Sequence, residues 1–398
     1  MKSGALVWAV VAAGFLAGGV GCQQASSQHA AGSGGDSIVT AGVQSGAAAD
    51  ANAGKTVSVF YTHDGAELLY RQAKYADAQA MCNQAIDAIT RAKGDKSPEL
   101  APPLIDLATV DMRLAKFEDA RKALDRAEGL LDKSKPEQAL ILGRLGINKG
   151  WRLYTLGQTD AATKTFEDSE ELVKKNSKGD SRDLAELINN VGLMYEETAE
   201  KEEDDALLNK ARTCLLQGWE MRKRVTGDES YETAESLNNL GMHLLFNGKS
   251  PEEADLGMNT LRKSLEVAKK VYGENHPETA MSHAVMALAL LMHDDVDEAE
   301  REIKIAMPMT ERYFGEMHPD RSFELMTLGR VYVEQNHFDQ AEKAFAEALD
   351  IDQHVYGKTH SNVVPALEAL QGLYEKEGNS EKSLDMKRQI EELSGKAL

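Results

Sequence analysis

Cysteine is nearly absent from this chain of 398 residues: Cys22, Cys82 and Cys214 are the whole set. The last two fall in separate helix-patterned segments. A disulfide needs Cα atoms about 4.4–6.8 Å apart, so no intrachain bridge is expected and both read as small buried residues. Basic charge is also in deficit, with 45 Lys and Arg against 65 Asp and Glu and a net charge of −20. Such a chain repels phosphate backbones and anionic lipid, which sets nucleic acid aside as a partner and leaves membrane attachment to some other device. Its apolar run from Ala5 to Val20 is short and interrupted by Gly14, Gly18 and Gly19. A comfortable span needs about 20 apolar residues. Catalytic signatures are missing too: there is no nucleophile elbow and no paired zinc-ligand motif.

The apolar run follows Met1-Lys2-Ser3 and ends at Gly21-Cys22, the layout of a secretory signal. Small residues running directly into Cys22 resemble the bacterial lipobox, in which the cysteine becomes the lipidated first residue of the mature protein. Gly19 stands where that pattern usually carries leucine; a plain signal peptide and an uncleaved anchor are the alternatives. The resemblance implies an extracytoplasmic protein of the bacterial cell envelope, held to membrane through lipid at Cys22. Gln23 rather than Asp after the cysteine tips this toward the outer membrane. Residues 22–57 are mostly Gln, Ala, Ser and Gly with no apolar period, and are expected to form a flexible tether.

From Ser58 onward the chain repeats. Gly273-Glu274-Asn275-His276-Pro277 returns 42 residues later as Gly315-Glu316-Met317-His318-Pro319, and again as Gly357-Lys358-Thr359-His360-Ser361. A fixed period in this range means an array of supersecondary units. One unit reads Leu328-Gly329-x-x-Tyr332, then Phe338-x-x-Ala341, then Phe345 and Ala348. Spacings of three and four keep each set on one helical face. Ala120, Leu124 and Ala127 repeat the second half, as do Ala162, Phe166 and Ser169, and Ala299, Ile303 and Ala306. Eight units result, at about 58–95, 98–134, 137–177, 181–226, 231–272, 278–314, 320–356 and 363–396, preceded by a signal at 1–21.

This pattern resembles the tetratricopeptide repeat. Leu237-Asn238-Asn239-Leu240-Gly241 and the Gly-x-x-His-Pro phrase resemble its kinesin-light-chain subtype. The resemblance implies an all-α, right-handed α-solenoid of about eight helix pairs, without a cofactor and without enzymatic activity. Units four and five depart by insertion, around Glu196–Asp205 and Pro251–Met258.

Each glycine of the linking phrase suits a left-handed helix end, and Pro277 and Pro319 suit a helix start. His276, His318 and His360 cannot share a metal, because neighbouring hairpins sit about 8–10 Å apart and zinc needs nitrogens about 2.0–2.1 Å away. They are expected to be turn and packing residues. Ala49–Thr56 matches a relaxed phosphate loop but lacks the strand before it and the helix after it. Glu202-Glu203-Asp204-Asp205 lacks the spacing of a calcium loop and reads as a solvated helix connection, and His293-Asp294-Asp295 as a polar turn.

Stacked helix pairs curve, and their first helices line the concave side. In register with Gly241, the candidate peptide-binding groove is Ile147, Trp151, Tyr154, Asn189, Leu193, Asn238, Met242, Leu245, Ala284, Leu288, Met326 and Arg330. Phe246 and Met292 lie beside it. Apolar, Met-rich grooves suit peptides; tight stacking against neighbouring units would bury the same residues. In the kinesin-light-chain family the matching asparagines contact peptide, which points here to Asn189 and Asn238. The expected function is a membrane-tethered scaffold binding a protein or peptide. Two alternatives remain: an assembly factor for outer-membrane or secretion and pilus machinery, and a small-molecule receptor or enzyme with an unrecognised site near Glu202 or His293.

Overall fold

A computed structural model describes residues 63–176, 179–202 and 204–396. The signal, Cys22, the tether and the phosphate-loop match lie outside the described residues. Among the described residues sixteen α-helices form eight consecutive hairpins. They are α1 His63–Arg71 with α2 Tyr75–Lys93, α3 Ala101–Arg113 with α4 Phe117–Glu128, α5 Ala139–Thr155 with α6 Thr159–Asn176, and α7 Arg182–Glu202 with α8 Asp205–Thr226. The second half continues with α9 Tyr231–Asn247 and α10 Pro251–Tyr272, α11 Pro277–Met292 and α12 Val296–Phe314, α13 Pro319–Glu334 and α14 Phe338–Tyr356, and α15 Val364–Lys376 and α16 Ser380–Lys396. No strand occurs among the described residues, and the fold is an all-α solenoid.

The sequence explains each boundary. Within hairpins the turn passes through a positive φ at Ala73, Ala115, Gly157, Asp294, Asn336 and Gly378, residues that recur at the repeat period. Between hairpins, Gly273, Gly315 and Gly357 end the preceding helix at φ of 96°, 78° and 96°, where a side chain is disfavoured. The histidine that follows caps the next helix: the backbone N–H of Glu278, Asp320 and Asn362 donates to Nδ1 of His276, His318 and His360 at 3.1, 3.2 and 3.1 Å. Pro277 and Pro319 then occupy the first helical position, where no N–H is needed.

Small residues set the closeness of each hairpin. A Cβ on Gly150 would come within 2.5 Å of the Phe166 ring, and one on Gly329 within 2.4 Å of Phe345. Both phenylalanines are fully buried in that contact. The insertions in units four and five lengthen helices rather than loops: α7, α8 and α10 run to 21, 22 and 22 residues. Asp204 opens α8, accepting from the N–H groups of Ala206 and Leu207. Cys82 is buried and Cys214 half-buried, both as free thiols.

The solenoid does not stay open. Its first three hairpins lie against the last four, joining for example Arg113 to His318, 205 positions along the chain. Each turn inside hairpins one to three meets the junction between the hairpins four and five places further on. One superhelical turn therefore takes between four and five hairpins. A nearest-neighbour stack has been closed into a ring-like coil by this seam.

Candidate functional site: the inner face and its two edges

The seam is built from residues that recur every 42 positions. Arg113 ends α3 with a side chain wholly out of solvent. Its Nη2 forms an ion pair with Asp320 Oδ2 at 2.8 Å and donates to Glu278 Oε1 at 3.2 Å. Its guanidinium lies over the Phe314 ring, 4.3 Å from the centroid. Phe314 stacks on His318 at 4.0 Å and 11°, and His318 Nε2 donates to the Arg113 carbonyl at 2.9 Å. With Nδ1 capping α13 and Nε2 bound to a carbonyl, His318 is held as the neutral imidazole, and burial keeps its pKa below the usual histidine range.

One repeat earlier the arrangement is kept with changed partners. Arg71 pairs with Glu67 at 2.8 Å and Glu232 at 3.0 Å, over the Tyr231 ring. Its backbone approaches His276, at looser geometry, and Tyr272 stacks on that histidine at 4.7 Å. One repeat later Thr155 replaces the arginine. The contact there is made by Phe117 stacked on Tyr356 at 5.7 Å and by Gly157 beside Ser361. Tyr75, in register with Phe117, stacks on Phe314 at 5.6 Å. Burial holds the Glu278 carboxyl up at about 7 despite Arg113, and lowers His276 to about 4.

The closed coil decides what becomes of the expected groove. Ile147, Trp151, Asn189, Leu193, Met242, Leu245, Ala284, Leu288 and Met326 are buried; Tyr154, Asn238 and Arg330 are half-buried. The apolar members belong to the continuous core. Trp151 packs edge-on against Phe166 and Tyr154. Asn189 accepts from Asn239 Nδ2 at 3.2 Å, so its side chain is turned to the next hairpin rather than to solvent. Tyr154 donates to Glu197 at 2.5 Å. Burial pushes the Arg330 guanidinium down to about 10. A partner would reach the nine buried residues only in a more open coil.

The family model for the tetratricopeptide repeat matches residues 63–133 and 286–354, in hairpins one and two and in hairpins six and seven. Over those two stretches the chain carries tetratricopeptide repeats. Among solved structures, a Rap protein complexed with Competence and Sporulation Factor is similar over 84% of this chain and 97% of its own, with 13% identity and a TM-score of 0.57. The apo form of RapI covers 73% and 96%, with 15% identity and a TM-score of 0.51. A putative kinesin light chain from Podosopora anserina covers 51% and 94%, with 17% identity and a TM-score of 0.38. No curated protein matches the chain. At these identities the likenesses bear on the fold alone.

In this tetratricopeptide array the accessible part of the inner face is a rim. Consecutive hairpins place all their internal turns on one edge. Hairpins one to three spend that edge on the seam; hairpins four to eight leave it free. Just inside the free edge lie Phe246, Leu291 and Val333, half-buried, and Met292, which is 46% exposed. At the last hairpin a Cβ on Gly372 would meet nothing, so the inner face there is open. Glu202 and His293, possible seats of a small-molecule site, sit at the end of α7 and in the turn after α11. No group of three metal-ligating side chains able to hold an ion occurs among the described residues. Sequence reasoning missed the seam. Its signal was present as Arg71 and Arg113, 42 residues apart, but the period alone does not say how many units complete a turn.

Proposed function

We propose that this array is a non-enzymatic scaffold that takes a protein or peptide partner at its inner face and is tethered to the bacterial envelope through lipid at Cys22. The observation that carries the binding part is the apolar rim of Phe246, Leu291, Met292 and Val333, left partly exposed on an otherwise filled concave face. Exposed contiguous apolar surface marks interaction sites. Repeats of this kind offer such surfaces along a curved face. The tether reading is supported by the sequence before Gln23.

Site-specific photo-crosslinking tests the binding part. A crosslinker placed at Phe246 or Val333 should yield discrete polypeptide adducts in cells, and one at Leu256, exposed on α10, should not. Absence of adducts from both rim positions overturns the scaffold reading. For the tether, Cys22→Ser should abolish incorporation of labelled palmitate and release the protein from the membrane fraction; continued membrane retention without label would refute the lipid.

A further inference from the structure

The two edges of the array differ in charge, and the difference falls where the apolar rim is open. The free turns of hairpins four to eight cover residues 204–205, 249–255, 293–298, 334–339 and 375–382. They carry fourteen Asp and Glu against three Lys. The corresponding free junctions at the opposite edge, 93–99, 132–137, 174–176 with 179–183, and 223–229, carry eight acidic and nine basic side chains. The net charge is therefore not spread evenly. It is gathered around the mouth that holds Phe246, Leu291, Met292 and Val333.

Ion pairs within the mouth do not cancel it. Lys249 faces Asp205 at 3.6 Å, Lys376 faces Glu334 at 3.7 Å, Arg212 pairs with Glu253 at 2.7 Å and Arg301 with Glu298, which accounts for four of the fourteen acids. Asp294, Asp295 and Asp297 are exposed and form no ion pair among the described residues. Asp294 and Asp295 follow Met292 on the connection between α11 and α12, and Asp297 lies in the first turn of α12. An apolar strip enclosed by one sign of charge attracts a segment that is apolar on one face and of opposite charge on the other.

We propose that the mouth at hairpins four to eight is a docking site for a basic amphipathic segment, its apolar side chains on Phe246, Met292 and Val333 and its Lys or Arg toward Asp294, Asp295 and Asp297. The inference rests on the scaffold reading above and adds the chemistry of the partner. An acidic peptide, an anionic bilayer and nucleic acid are all repelled by this rim.

The test uses the folded chain and a fluorescein-labelled peptide of about 18 residues, Leu and Lys placed so that one helical face is apolar over about five turns. Matched controls replace Lys by Glu or scramble the Leu spacing. Anisotropy should report binding of the Leu/Lys peptide that weakens with salt, and no comparable binding of either control. Asp294→Lys with Asp297→Lys should weaken it by about tenfold or more, and Phe246→Ser with Met292→Ser should abolish it. Asp95→Lys with Glu137→Lys, at the opposite edge, should leave it unchanged. Equal binding to the reversed mouth, loss of binding from the opposite-edge variant, or preference for the Leu/Glu peptide overturns the proposal. Light scattering is read on the same samples: a dimer dispersed by the Phe246 and Met292 substitutions assigns the rim to a second copy and also overturns it. Failure of the peptide alongside polypeptide adducts at Phe246 and Val333 removes the charge inference and leaves the scaffold; failure of both removes both.

Discussion

The turns of hairpins one to three and those of hairpins four to eight are the same structural element put to opposite uses. In the first set the helix ends in Arg71, Arg113 and Thr155, and the next begins in Tyr75, Phe117 and Thr159. These side chains are buried against another part of the same chain. In the second set the equivalent positions are Phe246, which is half-buried, and Met292, Glu334 and Lys376, which are exposed. Backbone geometry does not separate them: Ala115 and Asp294 turn at φ of 55° and 62°. Position along the coil separates them: only the turns of hairpins one to three have a junction four to five hairpins further on to meet, and the side chains of each set suit that use.

Breaking the seam at its centre should have the largest effect. Arg113→Met leaves Asp320 and Glu278 buried beside an apolar group. Removing one member of a buried pair costs about 3–5 kcal/mol, read as a drop in the urea midpoint. Adding Asp320→Leu and Glu278→Gln should recover most of that loss, because no buried charge then remains. A local packing change sharpens the contrast: Gly329→Ala drives a methyl into the Phe345 ring and should cost about 1–3 kcal/mol while leaving the seam contacts in place. His318→Ala removes a helix cap and the tie to the Arg113 carbonyl, with an expected loss of about 1–2 kcal/mol.

Titration gives a smaller and signed test. Glu324, beside the seam on α13, is pushed up to about 8 by burial, although it accepts a hydrogen bond from Thr310 at 2.5 Å. Folded chain therefore holds a proton that unfolded chain has released. Stability should fall as pH rises from about 4.5 toward 8. Glu324→Gln should flatten that slope and make the protein more stable at pH 8 by about 1–2 kcal/mol, seen as Tm against pH. At the mouth, Asp294→Lys with Asp297→Lys should change stability by less than about 0.5 kcal/mol. A loss approaching that of Arg113→Met would show that the free edge is structural as well.

Much of the fold was legible because its causes are local. Gly273, Gly315 and Gly357 end helices, and Pro277 and Pro319 begin them, wherever they stand in the coil. The pairing of Gly329 with Phe345 follows from spacing within one hairpin. The histidines read correctly as turn and packing residues, but the full reason could not be read from the phrase. Their second nitrogen, at His318, serves a carbonyl in a hairpin five places earlier. Asn189 shows the same limit from the other side. Its register puts it on the inner face, yet only the tightness of the coil determines that Asn239, not a ligand, meets it. Curvature is a sum of small rotations between hairpins, and no single residue states it.

A chain made from its N-terminus finishes Arg113 long before Asp320 or His318 exists. Until the sixth hairpin has been synthesised, a guanidinium destined for full burial has no carboxylate from later in the chain to meet, and Asp320 arrives only with the seventh. The early hairpins must wait with their turns unsealed. A product cut short after the fifth would carry its truncation on the surface, as an arginine without its ring or its carboxylates, open to any protease or chaperone that inspects unfinished chains.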